Sequence, residues 1–423
     1  MLNLKNPEDF RMGGIRGEIL ESLDYAFRKN SPEKVVSQFL HNINFSNPGG
    51  RVVVVGFGKA ARGMFRGARQ YLEGKIYHHA IIVPEYERDG QDELLYGGHP
   101  LPTGESIASS LALLDALKGL NEEDVVLVLI SGGGSSLFEV LRDGITLEEY
   151  NRAVGCVMEK GADIYELNSI RYLYSEVKGG GLLRYTYPAK VLGLIISDVP
   201  GDDIDTVSSG PTANAPSAER IDASLRKYGD VCNLPRPPES IKGRRSPSTN
   251  YVILRNQDFI ESIVEYLRSR GYTVVNLGST VRGSTQQVAS FLVSQMRKNF
   301  DTYGRGFLMV GGGETSTVRL GEAKGGRNLE LCLRVLLLLG EDEEVYFGSF
   351  GTDGIDGSSG AMGAIVDSKT LSSLGKERIL SHLGRSESLL PLLETKDVLF
   401  TGPTGTNLSD VFVAYYSKRR IQR

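Results

Sequence analysis

Three segments of the chain set glycines beside residues able to handle an anion. Ser131–Ser136 reads SGGGSS, directly after the apolar run 124–130. Glycines let successive backbone N–H groups converge on an anion, and the hydroxyls add donors. Three glycines with three serines exceed what a strand-to-helix turn requires, so Ser131, Gly132, Gly133, Gly134, Ser135 and Ser136 read as a phosphate cradle. Val55–Gly63, VGFGKAARG, contains G-x-G-x-x-A, a partial dinucleotide fingerprint, with Lys59 inside the turn. A lysine there suits a phosphate being transferred, because it offers a mobile point charge. The bland alternative is a solvated helix-start lysine. Lys178, Gly179 and Gly180 place another cation beside flexible backbone.

Acidic residues follow the same logic. Asp198 leaves an apolar run and is followed by Asp202, Asp203 and Asp205. Carboxylates at a strand's carboxyl end can hold Mg²⁺, with Asp198 and Asp202 as the metal candidates. Alternatively, Asp202 and Asp203 cap the next element. Further on, Glu314 follows a second GGG, and 321–330 brings Lys324 and Arg327. An arginine between glycines and a helix start can fork onto a carboxylate or phosphate. Asp353 and Asp356 lie in 351–360, and Asn407 in a hydroxyl-rich loop, 401–410. His99 sits in an unusual loop and reads as structural. Walker A, HExxH and clustered-cysteine patterns are all missing from the sequence.

Such loops need strands to position them. Arg51–Val55, Ala80–Val83, Asp124–Ile130 and Val191–Ser197 are β-branched runs without alternation, the pattern of parallel strands buried on both faces. Helical periodicity falls at 60–72, 105–118 and 147–160. The alternation predicts a doubly wound, mainly parallel, Rossmann-like α/β sheet, with ligands at the strands' carboxyl ends. Residues 15–45 read as two helices, the second entered at Ser31-Pro32-Glu33. The Pro- and Arg-rich stretch 231–250 has no periodicity. It divides the chain into an N-terminal domain over 1–235, a linker over 236–250 and a smaller C-terminal α/β domain over 251–423. Strands are predicted there at Tyr251–Leu254, Tyr272–Leu277, Gly306–Val310, Val345–Phe350, Val398–Thr401 and Val411–Tyr415, and helices at 257–270, 284–299 and 326–339. The segments 124–136 and 305–316 share a layout of apolar strand, three glycines and hydroxyl residues.

Composition narrows the class. Glycine, at 51 of 423 residues, is about 12% against a usual value of roughly 7%. A net charge of −4 with no basic stripe argues against nucleic acid. Cys156, Cys232 and Cys332 lie far apart and read as thiols of a reducing compartment, the cytoplasm. The charged N-terminus is unlike a signal peptide, and no apolar run suits a membrane span. The expected partners are small molecules, and the expected assembly a monomer or homodimer.

Four segments together resemble the glycerate 2-kinase family, the type with a C-terminal MOFRL domain. They are LISGGGSSL; KGGGL with ISDVPGDDIDTVSSGPT; GGGETSTVRLGEAKGGRNLEL; and GTDGIDGSSGAMGAIVD with TGPTGTNLSD. In the family's order, the resemblance runs from residue 51 to 416. It implies ATP-dependent phosphorylation of D-glycerate to 2-phosphoglycerate with Mg²⁺, on two α/β domains with the active site in their cleft. Lys59 and Arg327 carry over by motif as the cationic residues. Departures are modest: Asn328-Leu329 stands in place of Asn-Gln, and Ser358-Ser359 in place of Pro-Thr. The expected roles follow. The 131–136 backbone and Lys59 grip phosphates, Asp198 and Asp202 hold Mg²⁺, Arg327 clamps the glycerate carboxylate, and Asp353 or Asp198 orients the attacking hydroxyl. Two rivals are an NAD(P)H hydroxypyruvate reductase, using 55–63 for the dinucleotide and Glu85 for its ribose, and a non-catalytic sugar-phosphate sensor.

Overall fold

A computed structural model describes residues 3–46, 49–90, 93–199, 201–238, 243–317 and 323–418. The chain divides into two compact units, Pro32–Leu254 and a second made of Met1–Ser31 with Arg255–Arg423.

In Pro32–Leu254 the apolar runs become six parallel strands: β1 (Val52–Phe57), β2 (Ile76–Pro84), β3 (Leu95–Gly97), β4 (Val125–Ser131), β5 (Lys190–Ile196) and β6 (Ser248–Leu254). Their order is β3-β2-β1-β4-β5-β6. Every residue of β1 is buried, which is why its sequence shows no alternation. Val53, Val55 and Phe57 pack with Val126, Val128 and Ile130 in one core, and Phe57 stacks on Phe138. After β3 the chain crosses back to β4 on the far side of β1. The strand order therefore reverses between β1 and β4, which is the place where open α/β sheets bind ligands.

The other unit holds a mixed sheet. Its strands are β7 (Val274–Asn276), β8 (Val281–Ser284), β9 (Phe307–Ser316), β10 (Glu343–Gly351), β11 (Gly363–Asp367), β12 (Val398–Leu399) and β13 (Asp410–Lys418). They run in the order β12-β11-β10-β13-β9-β7, with β8 also paired to β9. The β9–β13, β13–β10, β10–β11 and β11–β12 pairs are antiparallel; β7 and β8 are parallel to β9.

Three expectations change. First, the division differs from 1–235 and 251–423. Residues 1–31 join the later half, because buried Arg16 bonds Asp367 at 2.8 Å and Asp397 at 2.7 Å, and Phe27 packs edge-on against Phe259. The predicted strand Tyr251–Leu254 belongs to the first sheet, as part of β6 on β5. Part of the predicted linker is also integral: Ser246 N–H donates to Leu183 O, and Pro247 O accepts Val191 N–H. Its residues 239–242 lie outside the described residues.

Second, the cysteines are not all thiols. Cys156 and Cys232 form a disulfide, and Cys332 is the buried free one. The bond joins the helix Leu147–Glu159 to the chain just after the helix Ala218–Tyr228, over a small core containing Tyr150, Leu167, Tyr174 and Tyr228. A separation of 76 residues hides the pairing from the sequence. Closing so long a loop stabilises the native state by about 2–4 kcal/mol. Cys156→Ser should lose that amount in urea denaturation, and reductant should then have no further effect. No change relative to oxidised wild type would show the bond to be energetically idle.

Third, the two GGG runs are unlike. β4 ends at Ser131 and turns, whereas β9 continues straight through Gly311, Gly312 and Gly313, paired to β13. A Cβ on Gly311 would lie 2.6 Å from the Phe412 ring, and one on Gly313 would lie 2.0 Å from Val281 O. The second run is thus a close-packing device, and its likeness to the first stops at the letters.

Candidate functional site

The first cluster lies at the carboxyl edge of the parallel sheet. Gly133 takes a left-handed conformation (φ 86°) and turns the chain from β4 into the short helix Gly134–Leu137. Among the described residues, the N–H groups of Gly133, Gly134 and Ser135 make no hydrogen bond. Gly133 and Ser135 are partly exposed. Gly134 is buried, and neighbouring amides of this kind can form a concavity suited to an anion.

The rest of SGGGSS shapes that turn. Ser131 Oγ accepts the Ala60 N–H at 3.0 Å, and Gly132 O accepts the Lys59 N–H at 2.9 Å. Ser136 Oγ donates to Gly133 O. Of the six residues predicted as a cradle, Gly133, Gly134 and Ser135 have N–H groups that are not used in these bonds. The same bonds decide the reading of 55–63. Gly58 N–H donates to Ile82 O, and those of Lys59, Ala60 and Ala61 to Gly132 O, Ser131 Oγ and Gly58 O. The backbone that would hold a dinucleotide's pyrophosphate is already committed.

Lys59 keeps its predicted place beside the turn. Its Cγ lies 3.2 Å, and His99 Cδ2 3.3 Å, from where a Cβ on Gly133 would sit. His99 is thus at the site and exposed, contrary to a structural reading. Composition had no means of showing this, since the approach depends on β3 lying beside β2. Glu87 was also missed. It follows β2, with its carboxylate 3.7 Å from Arg62 Nε. Burial, against the pull of Arg62, pushes its pKa up to about 7.

Lys178, Gly179 and Gly180 do not face a ligand. The Lys178 side chain is 0% exposed, and its ammonium donates to Ser135 O at 2.7 Å and Phe138 O at 2.5 Å. Burial pushes its pKa down to about 8, opposed by Glu139 at 3.7 Å. The Gly179 and Gly180 N–H groups donate to Ser209 O and Gly210 O. Lys178 is therefore the strut behind the Gly133–Ser135 turn. Its burial could not be read from a KGGG string.

Asp198 lies two residues beyond Ile196, which pairs with Ser131. This puts it at the same sheet edge as the turn. The four acids separate in role. Asp203 accepts from Asp205 N and Thr206 Oγ1, and Asp205 Oδ1 accepts from Asn214 N and Nδ2. Asp203 thus caps the local turn, as the alternative reading had it. Asp198 and Asp202 are partly exposed, and Asp202 takes a left-handed φ of 55°. Among the described residues no three His, Cys, Asp or Glu side chains cluster as a metal cage. One or two carboxylates at this edge fit Mg²⁺, which is usually bound by few carboxylates together with waters.

The second cluster belongs to the other unit. Arg327 opens the helix Arg327–Leu337 and is held by Asp410 (Nε to Oδ2, 2.6 Å) and by Glu314 (Nη1 to Oε1, 2.8 Å). Burial alone would lower its pKa, but these carboxylates outweigh that and raise it. Among the described residues, Nη1 donates to Glu314 and Nη2 to Asp410 Oδ1, which leaves guanidinium donors for a ligand. Asp410 is buried and its pKa is raised by desolvation. Asp353 Oδ1, Asn328 Nδ2 and Asp410 Oδ1 all lie within 3.6 Å of the space that a Cβ on Gly351 would fill. Asp353 and Arg327 are thus neighbours through Asp410. Asp356, by contrast, is structural: fully buried, it accepts the Asn328 and Leu329 N–H groups and caps this helix. Asp410 was missed because it reads as the last letter of a loop. As the first residue of β13, opposite Gly313 and Gly351, it reaches Arg327.

Two family models match the chain: "Domain of unknown function (DUF4147)" over residues 18–240, and "MOFRL family" over 307–410. A glycerate 2-kinase of Picrophilus torridus is 36% identical, the alignment covering 98% of this chain and 100% of that protein. The chain belongs to the glycerate 2-kinase family, with a C-terminal MOFRL domain. A crystal structure of glycerate kinase from Thermotoga maritima superposes with a TM-score of 0.81 at 30% identity, covering 95% of this chain and 99% of that one. A protein of Agrobacterium vitis named putative hydroxypyruvate reductase is 31% identical, over 86% of this chain and 98% of that one. The Gly133–Ser135 turn and Lys59 fall within the first family model, and Arg327, Asp353 and Asp410 within the second. No described helix is long and apolar enough to cross a membrane.

Proposed function

We propose that the chain transfers the γ-phosphoryl group of ATP to the 2-hydroxyl of D-glycerate, giving 2-phosphoglycerate and ADP. The observation that carries this reading is the contrast between two turns. Around Gly133–Ser135 the amides are open to an anion, with Lys59 alongside, whereas the amides of 58–61 are committed within the protein. That contrast favours a phosphate over a nicotinamide dinucleotide, and so the kinase over the reductase.

The reaction needs phosphates neutralised, a hydroxyl oriented and a carboxylate held. Gly133, Gly134 and Ser135 bind phosphate oxygens, and Lys59 follows the charge that builds on the transferred group. Mg²⁺, held through Asp198 and Asp202, would neutralise phosphate charge. Arg327 uses its remaining donors on the glycerate carboxylate. Asp410 and Glu314 fix its plane, and Asp353 accepts the proton of the attacking hydroxyl. The proton leaves the 2-hydroxyl as its oxygen bonds to the γ-phosphorus and the bond to the β-phosphate oxygen breaks.

Incubation with Mg-ATP and D-glycerate, coupled to enolase without phosphoglycerate mutase, tests this directly. Signal means 2-phosphoglycerate. Signal only after mutase is added moves the transfer to the 3-hydroxyl, and an absence of ADP retires the kinase reading. Arg327→Ala should raise the glycerate KM by ~10-fold or more, about the strength of a charged hydrogen bond, and leave the ATP KM nearly unchanged. Equal effects on both would remove the carboxylate-clamp role.

A further inference from the structure

A cavity of about 220 Å³ opens within the Pro32–Leu254 unit. Its walls are the helices Ile164–Tyr174 and Ala218–Tyr228 and the segment 203–217. Tyr165, 39% exposed, forms one side, with the Arg220 guanidinium 4.8 Å from its ring centroid. Asn168, Asp203, Asp205 and Asn214 supply the polar lining.

Two hydrogen bonds connect this cavity to the phosphate turn. Ser135 Oγ lies 3.0 Å from Ser209 Oγ, and Ser209 Oγ donates to Asn168 Oδ1 at 2.8 Å. Asn168 is also a wall of the cavity, so Ser209 and Asn168 link that wall to the Gly133–Ser135 turn. The lining chemistry restricts what enters. Two carboxylates repel a second phosphate or a glycerate carboxylate. They welcome donors, and among the described residues Asp205 uses only Oδ1 in the bonds it makes. A flat, partly exposed aromatic ring backed by a guanidinium offers a stacking face for a π-system. A group rich in O–H and N–H donors, with a planar ring and phosphates at one end, is a nucleotide.

We infer that this cavity receives the nucleoside of the phosphoryl donor, with the base on Tyr165 and Arg220 and its hydroxyl or amino donors on Asp205. The inference rests on the kinase reading and extends it to a subsite. None of the loops that suggested phosphate binding includes Tyr165 or Arg220.

Calorimetric titration separates the possibilities, with ADP and inorganic tripolyphosphate as probes on wild type, Tyr165→Ala and Tyr165→Phe. Losing a base–aromatic stack should raise the ADP Kd roughly 10-fold or more, while tripolyphosphate binds as before and Tyr165→Phe restores ADP affinity. Unchanged ADP affinity in Tyr165→Ala, with wild type binding ADP, overturns the subsite and leaves the kinase reading standing. Equal weakening of ADP and tripolyphosphate also overturns it, since the residue would then act through the turn. A wild type that binds no ADP overturns the subsite and the kinase reading together.

Discussion

Lys59→Ala lowers kcat for glycerate phosphorylation by ~10²-fold or more, the scale of losing one preorganised charge at a site of developing charge. The expected change in either KM is much smaller. The residue's backbone is pinned by its N–H on Gly132 O, and its aliphatic stem crosses Gly133 at the notional Cβ position. The ammonium is therefore delivered to the phosphate turn by a stem already in place, at little entropic cost. Charge that rises only as the phosphoryl group moves is stabilised in the transition state more than in the bound state, which places the effect in kcat. Lys59→Arg should recover part of the rate, because a planar fork replaces a point charge. Near-normal turnover in Lys59→Ala, in steady-state kinetics at saturating substrates, would take the residue out of the mechanism.

Lys178→Met destabilises the protein by about 3–5 kcal/mol, the usual result of removing one partner from a buried charge pair. In a unit of this size that lowers Tm by on the order of 10 °C. Methionine roughly preserves the volume but leaves the carbonyls of Ser135 and Phe138 without their donor, and Glu139 without its cation. Ser175 Oγ still donates to Glu139, so part of the network survives. The loss is of stability first and of activity through it. Below the new Tm, phosphate affinity should fall because the turn loses its strut. If the variant melted with wild type but bound nucleotide poorly, Lys178 would be a direct ligand, and the structural assignment would be wrong.

The two lysines show where sequence reading holds and where it stops. Both sit in glycine-rich strings after apolar segments, and both were expected at the phosphate. Lys59 starts a helix at the carboxyl edge of β1, so its position follows from local structure. Lys178 lies in a turn whose surroundings come from residues about forty positions away, and burial converted a cation into a carbonyl ligand. The two GGG runs separate for a similar reason. Whether three glycines turn or continue depends on the partner strand, and β13 holds Gly311–Gly313 extended.

The sequence by itself determined the parallel sheet, because strands buried on both faces must be continuously apolar. It also determined that glycines, serines, Lys59 and Asp198 cluster just after those runs, at the carboxyl edge of the sheet. The family was legible in the order of four loops. Only the tertiary structure decided which amides remain open to an anion, because hydrogen-bond partners such as Ser131 and Ala60 lie 71 positions apart. It alone brought Asp410 to Arg327, joined Cys156 to Cys232, and moved residues 1–31 to the later unit through Arg16. Each of these is a contact across a long stretch of chain, set by core packing and strand order, and no local pattern of residue types records it.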